Sequence, residues 1–266
     1  MTRRVAWLTD IHLNFLGTVQ VNRFANAVRA VEPDIVLISG DIGEARTVAW
    51  YLKTLEQKLQ RPIYFVLGNH DFYMGSVEDV RAAAQNLSND SEWLVWLPAA
   101  GIVEIAPDTA LVGHDSWADG RYGNYERSQM MLNDFALIHD LVGLNRVERL
   151  RKLNALGDEA ASYFRQVVPT AFETYSHLIL LTHVPPFRES CWHNGAISDD
   201  DGLPFFSCKA VGDVLLEIMQ VYPHRQLTVL CGHTHGGGQA QILDNLLVLT
   251  GGAEYGKPEI QQVFEF

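Results

Sequence analysis

Lysine and arginine are scarce in this chain: 20 of them stand against 32 aspartates and glutamates, for a formal net charge of −12. A protein that grips a nucleic-acid backbone needs a basic face, and no Lys/Arg stripe stands out here. Long DNA or RNA is therefore a poor expectation as a partner. Cysteine is sparse as well. Cys191, Cys208 and Cys231 show no CxxC spacing and are odd in number, which argues against a disulfide framework and for reduced thiols. Cys231 closes an apolar run and reads as a buried small hydrophobe. Long hydrophobic runs are missing too. None approaches the roughly 20 residues that span a bilayer, so no membrane partner is expected. Arg3-Arg4 superficially resembles a twin-arginine signal, but Asp10 and His12 interrupt the apolar stretch behind it. A cytoplasmic location is the expectation that follows.

What the chain has is a large apolar fraction. With 266 residues and 47% hydrophobic content it can bury one large core. Its first third alternates short apolar runs with amphipathic stretches. Val5 to Thr9, Ile35 to Ile38 and Ile63 to Leu67 read as strands. Between them, Val21, Phe24, Val28 and Val31 form one helical stripe, and Val48, Leu52, Leu55 and Leu59 form another. Ser76 starts a third helix, with Asp79 completing a weak capping box. Continuous apolar strands between amphipathic helices mean a sheet covered on both faces. Further on, a hairpin is expected around Pro107-Asp108, and strands resume at Leu178 to Thr182, Leu227 to Cys231, Gln239 to Leu243, Leu246 to Thr250 and Ile260 to Phe264. The stretch 116–176 is mostly helical and polar in pattern. It reads as a helical cap inserted in a single domain, 1–266.

Five short stretches carry the chemistry: Asp10-Ile11-His12, Gly40-Asp41, Gly68-Asn69-His70-Asp71, His183 and Gly232-His233-Thr234-His235. Each follows an apolar strand, so all five are expected at the carboxyl edge of the sheet, where open α/β sheets place their ligands. In an extended segment residues i and i+2 point the same way, which would aim Asp10 with His12 and His233 with His235. Asp10, His12, Asp41, Asn69, His183, His233 and His235 are too many ligands for one ion, and suffice for two that share a carboxylate. Imidazole with carboxylate suits Mn, Fe, Zn, Ni or Co, whereas a Ca or Mg pair would prefer oxygen throughout. Two such cations can hold a bridging hydroxide near neutral pH and neutralise phosphoryl charge, which points to phosphate-ester hydrolysis.

On these motifs, in this order, the sequence resembles the calcineurin-like metallophosphoesterase superfamily. The resemblance implies a four-layer α/β sandwich, with two central β-sheets flanked by helices. It also implies residue roles. Asp10, His12 and His235 would hold one metal, Asn69, His183 and His233 the other, and Asp41 would bridge them. His70 would face the phosphate and stabilise it or protonate the leaving group, with Asp71 orienting His70. The implied reaction is hydrolysis of a small organic phosphate mono- or diester by a metal-bridging hydroxide. A nuclease or a phosphoprotein phosphatase would use the same site. A scaffold that had lost catalysis would show decay at the ligands or at His70, and none is visible.

Other polar residues near these motifs have two readings. His114, after the predicted hairpin, and His193, in the loop after His183, could meet the substrate or merely serve a turn. Trp117, Arg121, Tyr122, Tyr125 and Arg127 cluster in the expected cap. Arg121 and Tyr122 are candidates for substrate contact, while packing of the cap on the core is the favoured reading of the aromatics.

Overall fold

In the computed structural model, which describes residues 2–266, the chain begins with a strand–helix alternation: β1 (Arg4–Leu8), α1 (Thr18–Ala30), β2 (Ile35–Ser39), α2 (Val48–Leu59), β3 (Ile63–Val66), α3 (Val77–Asn89) and β4 (Leu94–Trp96). A helical turn, α4 (Leu97–Ala100), leads into the hairpin β5 (Val103–Ala106) and β6 (Thr109–His114). Then come the turn α5 (Asp134–Leu137), the long helix α6 (Arg146–Phe172), β7 (His177–Thr182), and a small ribbon of β8 (Trp192–His193) and β9 (Ala196–Ile197). The chain closes with α7 (Leu203–Phe206), α8 (Lys209–Val221), β10 (Gln226–Cys231), β11 (Gly238–Leu243), β12 (Leu246–Thr250) and β13 (Gln262–Glu265).

The strands form two large sheets. One has the order β13-β1-β2-β3-β4 and the other β11-β12-β10-β7-β6-β5. In the first, β1 to β4 are mutually parallel, with Val5 opposite Ile35 and Val36 opposite Ile63. In the second, β6, β7, β10 and β12 are parallel. Strand alternation divides the side chains between layers. Val5, Trp7, Ile35 and Leu37 meet Leu111, Ile179, Leu181 and Leu230 from the other sheet. Leu8, Val36 and Ile38 face α1, α2 and α3 on the outer side. The second sheet turns Leu178, Leu180, Val229 and Val248 towards α6 and α8. The result is helices, sheet, sheet, helices, the sandwich expected from the sequence.

The stretch 116–176 departs from the expected helical cap, because it divides in two. Residues 116–145 are irregular apart from α5. They send Trp117, Tyr125, Phe135, Ile138 and Leu141 into the core of the first sheet, so the packing reading accounts for these aromatics. The remainder is α6, 27 residues long, and it is a wall of the sandwich. Ala160, Phe164, Val168 and Phe172 recur at helical spacing and pack on the second sheet. Asn145 caps α6 by accepting from the amides of Val147 and Glu148, and Glu148 returns a bond to the Asn145 amide. No described helix is long and apolar enough to cross a membrane.

Candidate metal centre

Two sheets with parallel centres, packed face to face, bring the carboxyl ends of β1, β2, β3, β7 and β10 to one edge. All five motifs lie in the loops that leave those ends. The backbone there is not extended. Asp10, His12, Asp41, His233 and His235 have φ of 47°, 39°, 53°, 73° and 58°. Strand alternation therefore does not aim Asp10 with His12, as expected from spacing; tight left-handed turns do. Such a conformation costs an L-residue roughly 1–2 kcal/mol, and strain of this kind collects at functional sites. Cross-loop hydrogen bonds hold the turns. The Asp10 amide donates to the Gly40 carbonyl at 3.1 Å, His12 to Asp41 at 2.9 Å, and Gly232 to His183 at 2.9 Å. Glycine is required at two close approaches: a Cβ on Gly68 would overlap the Asp41 carboxylate, and one on Gly232 would overlap that of Asp10.

One group of donor atoms comes from Asp10, His12, Asp41 and His235, all within 4.8 Å of one another. His12 Nε2 lies 3.0 Å from His235 Nε2 and 3.6 Å from Asp41 Oδ2, and His235 Nε2 lies 3.5 Å from Asp10 Oδ1. Asp10 is further held by the Thr9 hydroxyl at 2.6 Å and by the His233 amide. A second group gathers around Asn69. Its Oδ1 is 3.0 Å from His183 Nε2 and 2.9 Å from His233 Nδ1. Asp41 stands between the groups, with Oδ2 towards His12 and Oδ1 3.4 Å from His183 Nε2.

The second group is braced from behind. His183 Nδ1 meets the Ser39 carbonyl at 2.8 Å and His233 Nε2 that of Phe205 at 2.9 Å. A carbonyl can only accept, so each ring carries its proton there and turns a lone pair towards Asn69. The Asn69 amide group donates to Asp134 Oδ1 at 2.9 Å, which points its oxygen at the two rings. Tyr73 also donates to Asp134, at 2.8 Å.

The electrostatics fit a cation. Asp10 and Asp41 are fully buried, and among the described residues their charge partners are imidazoles only. Burial, then the neighbouring charges of Asp10 and Asp71, push the Asp41 carboxyl well above its ordinary range. Burial opposes ionisation of Asp10 as well, but His235, His183 and His12 outweigh it and hold its pKa low. A dication beside both carboxylates would remove this repulsion. His12 and His233 are pushed down to about 2 and about 3, mainly by burial, so both rings are neutral and able to ligate at neutral pH.

His70 lines the cleft beside these groups. Its ring stacks on Tyr73 at 4.3 Å, with Nε2 3.9 Å from Asp41 Oδ2. Burial and the charge of His183 push its pKa down to about 4. Asp71 does something other than orient that ring. Its Oδ1 accepts from the amides of Ile42 and Gly43 at 2.9 and 2.8 Å, and its Oδ2 from Gly68 at 2.9 Å. Through these three backbone donors it ties the Asp41 loop to the Asn69 loop.

Of the expected substrate contacts, His193 lines the cleft, with Nδ1 3.1 Å from the Thr234 carbonyl. The other three lie elsewhere. His114 is buried against Tyr163 and Phe164, near Arg81 and Glu159. Arg121 pairs with Asp119 and Asp158. Tyr122 sits by Lys209. Each has its neighbours outside the cleft. Asp134, Tyr73 and Tyr255 line the cleft without having been expected there. A buried-side aspartate in a polar, irregular stretch carries no signal in the sequence.

Residues 3–237 match the calcineurin-like phosphoesterase family. The chain is also similar to the transmembrane protein with metallophosphoesterase domain of Bos taurus, 32% identical over 91 residues, which are 32% of this chain and 20% of that protein. For the Danio rerio protein of the same description the identity is 35% over 81 residues, 28% of this chain and 18% of that one. The chain thus spans about a fifth of the length of the curated relatives it matches. Among solved structures, a dimetal phosphatase from Danio rerio superposes with a TM-score of 0.58 at 15% identity, over 94% of this chain and 87% of that one. Phosphopantetheinyl hydrolase from Mycobacterium tuberculosis gives 0.64 at 14%, over 93% and 89%. At those identities the likeness is one of fold. Since the family match runs from ahead of Asp10 to beyond His235, across every loop that builds the centre, the chain belongs to the calcineurin-like phosphoesterase family.

Proposed function

We propose that this chain is a metal-dependent phosphoesterase that hydrolyses a small organic phosphate, as a monoester or a diester. The observation that carries this reading is the shared carboxylate: Asp41 faces His12 with one oxygen and His183 with the other. In this reading Asp10, His12 and His235 hold one ion, Asn69, His183 and His233 the other, and Asp41 serves both. The donor set suits Mn, Fe, Zn, Ni or Co. Two such ions would supply Lewis acidity at the phosphoryl oxygens and a nucleophilic water near neutral pH.

The chain's own groups do the rest. Asp134, through Asn69, and the carbonyls of Ser39 and Phe205, through the two imidazoles, keep the ligand lone pairs aimed inward. His70 is neutral at pH 7, and its Nε2 would donate a hydrogen bond to a phosphoryl oxygen or to the departing oxygen. The cleft over the centre measures about 300 Å³, at the small end of the roughly 300–1,000 Å³ of ligand pockets. Its size supports a small substrate, and the charge of −12 weighs against a long polyanion.

The test is release of a chromophore from a phosphate diester and from the matching monoester, with Mn added and then chelated. Chelator-sensitive turnover of either is expected, and the preferred ester separates phosphodiesterase from phosphatase. Protein that binds two metal equivalents and turns over neither ester would overturn the proposal.

A further inference from the structure

The cleft over the candidate centre has an uneven chemistry. Among the described residues, none that lines it is lysine or arginine; its walls include Tyr73, Phe206, Tyr255 and Leu132, with Asp134 behind Asn69. Tyr255 stands over the Asp10 side, with ring centroids 4.6 Å from His12, 4.9 Å from His235 and 6.1 Å from His70. Phe15 neighbours it, with ring centroids 4.8 Å apart and the planes tilted by 50°. Phe206 stands over the other side, 5.8 Å from His233 and 5.1 Å from His193. Yet Tyr255 and Phe15 remain 48% and 53% exposed, so a broad aromatic surface meets solvent beside the reacting position.

Tyr255 is also held in place. The Ala253 amide donates to the His235 carbonyl at 3.2 Å. The Gln261 side chain clasps Gly252 from both directions, at 2.9 and 2.8 Å. Tyr255 lies beyond residue 237, where the family match ends, so membership of the family says nothing about it.

We infer that Tyr255 is the platform on which the leaving group stacks, and that the substrate is an ester with one phosphate and an uncharged, flat or apolar leaving group. The inference rests on the phosphoesterase reading above. A substrate with a second phosphate or a carboxylate on its leaving group would find no cationic side chain in the cleft to meet it, and Asp134 would oppose it. A ring laid on Tyr255 gains apolar burial and offset stacking, while its phosphate is held by the centre and His70.

The experiment compares benzyl phosphate with ethyl phosphate, which differ in the ring while both leave as alkoxides, and adds a nucleoside bisphosphate, whose leaving alkoxide carries a second phosphate, as the polyanionic contrast. Wild-type kcat/KM is expected to favour the benzyl ester by about tenfold, with the nucleoside bisphosphate poorest. Tyr255→Ala should collapse the benzyl-to-ethyl ratio towards one through KM, with metal content retained, and Tyr255→Phe should keep it. A readout without turnover is the dissociation constant of benzylphosphonate against ethylphosphonate by calorimetry, where the same ratio and the same loss are expected. Turnover of both esters without aromatic preference, or a preference that survives Tyr255→Ala, overturns the inference and leaves the phosphoesterase reading standing. Turnover of none of these esters, nor of the chromogenic diester, by protein that binds two metal equivalents overturns both.

Discussion

On the Asn69 side of the centre, His183 and His233 each have their far nitrogen tied to a backbone carbonyl, and Asn69 itself is held by Asp134. On the Asp10 side, His12 has a buried Nδ1 with no partner among the described residues, and His235 is 22% exposed at its side chain. One half is oriented by the protein before any ion arrives. The other half has its donors gathered, but leaves part of their orientation to the ion. Partners behind the ligands fix the tautomer and the direction of the lone pair, so the two halves should differ in affinity and in response to acid, although their ligand types are nearly alike.

The largest expected effect tests what the halves share. Asp41→Ala removes the carboxylate facing both, and should lower turnover by roughly 10³-fold or more, with metal content falling at both positions. Loss confined to one position, read by elemental analysis, would show that Asp41 serves a single half. Next comes His70→Ala, expected to cost about 10²–10³-fold in kcat while both metals stay bound; undiminished kcat would remove His70 from the chemistry. Asp134→Ala sharpens the comparison itself. Freed of its brace, Asn69 can rotate, and affinity on that side should drop about 10–100-fold while the Asp10 side is little changed. Equal weakening of both sites in a calorimetric titration would break the distinction.

The smallest effect is in pH. Burial by itself would lower the pKa of His235, but its hydrogen bond to Asp10 and the charges of Asp10 and Asp41 raise it above the ordinary value of 6.5. His233 is pushed the other way, to about 3, by burial and by His183. A raised pKa means that the proton competes with a metal at higher pH. As pH falls, His235 takes up a proton well before His233 does. The ion on the Asp10 side should therefore leave first. Metal retained per chain as the pH is lowered, followed after rapid desalting, should pass through a plateau of one equivalent; simultaneous loss of both would contradict the assignment.

Much of this was legible in the sequence, for reasons that are local. Apolar runs such as Ile35 to Ile38 and Leu227 to Cys231 are buried along nearly their whole length, and a strand covered on both faces has no polar residues to disguise it. The seven candidate ligands are of distinctive type and sit directly after such runs. What was not legible depends on distant pairs. Asp134 meets Asn69 across 65 positions. Arg121 is taken by Asp119 and Asp158 instead of reaching the cleft, and α6 is a wall of the sandwich because its stripe finds the second sheet. His114 ends β6 near the right edge in sequence and still lies apart from the cleft, packed on Tyr163 and Phe164.

The sequence by itself determined the alternation of strands and helices, the glycines that permit close approach, and the types of side chain able to hold a cation. Those follow from periodicity and from the chemistry of single residues. Only the tertiary structure decided which nitrogen of each imidazole turns inward, which oxygen of Asp41 faces which group, that Asp71 binds backbone and not His70, and that Tyr255 closes over the site. Each of these is set by a partner from another loop, and the loops meet only because two sheets pack face to face and bring their carboxyl ends to one edge.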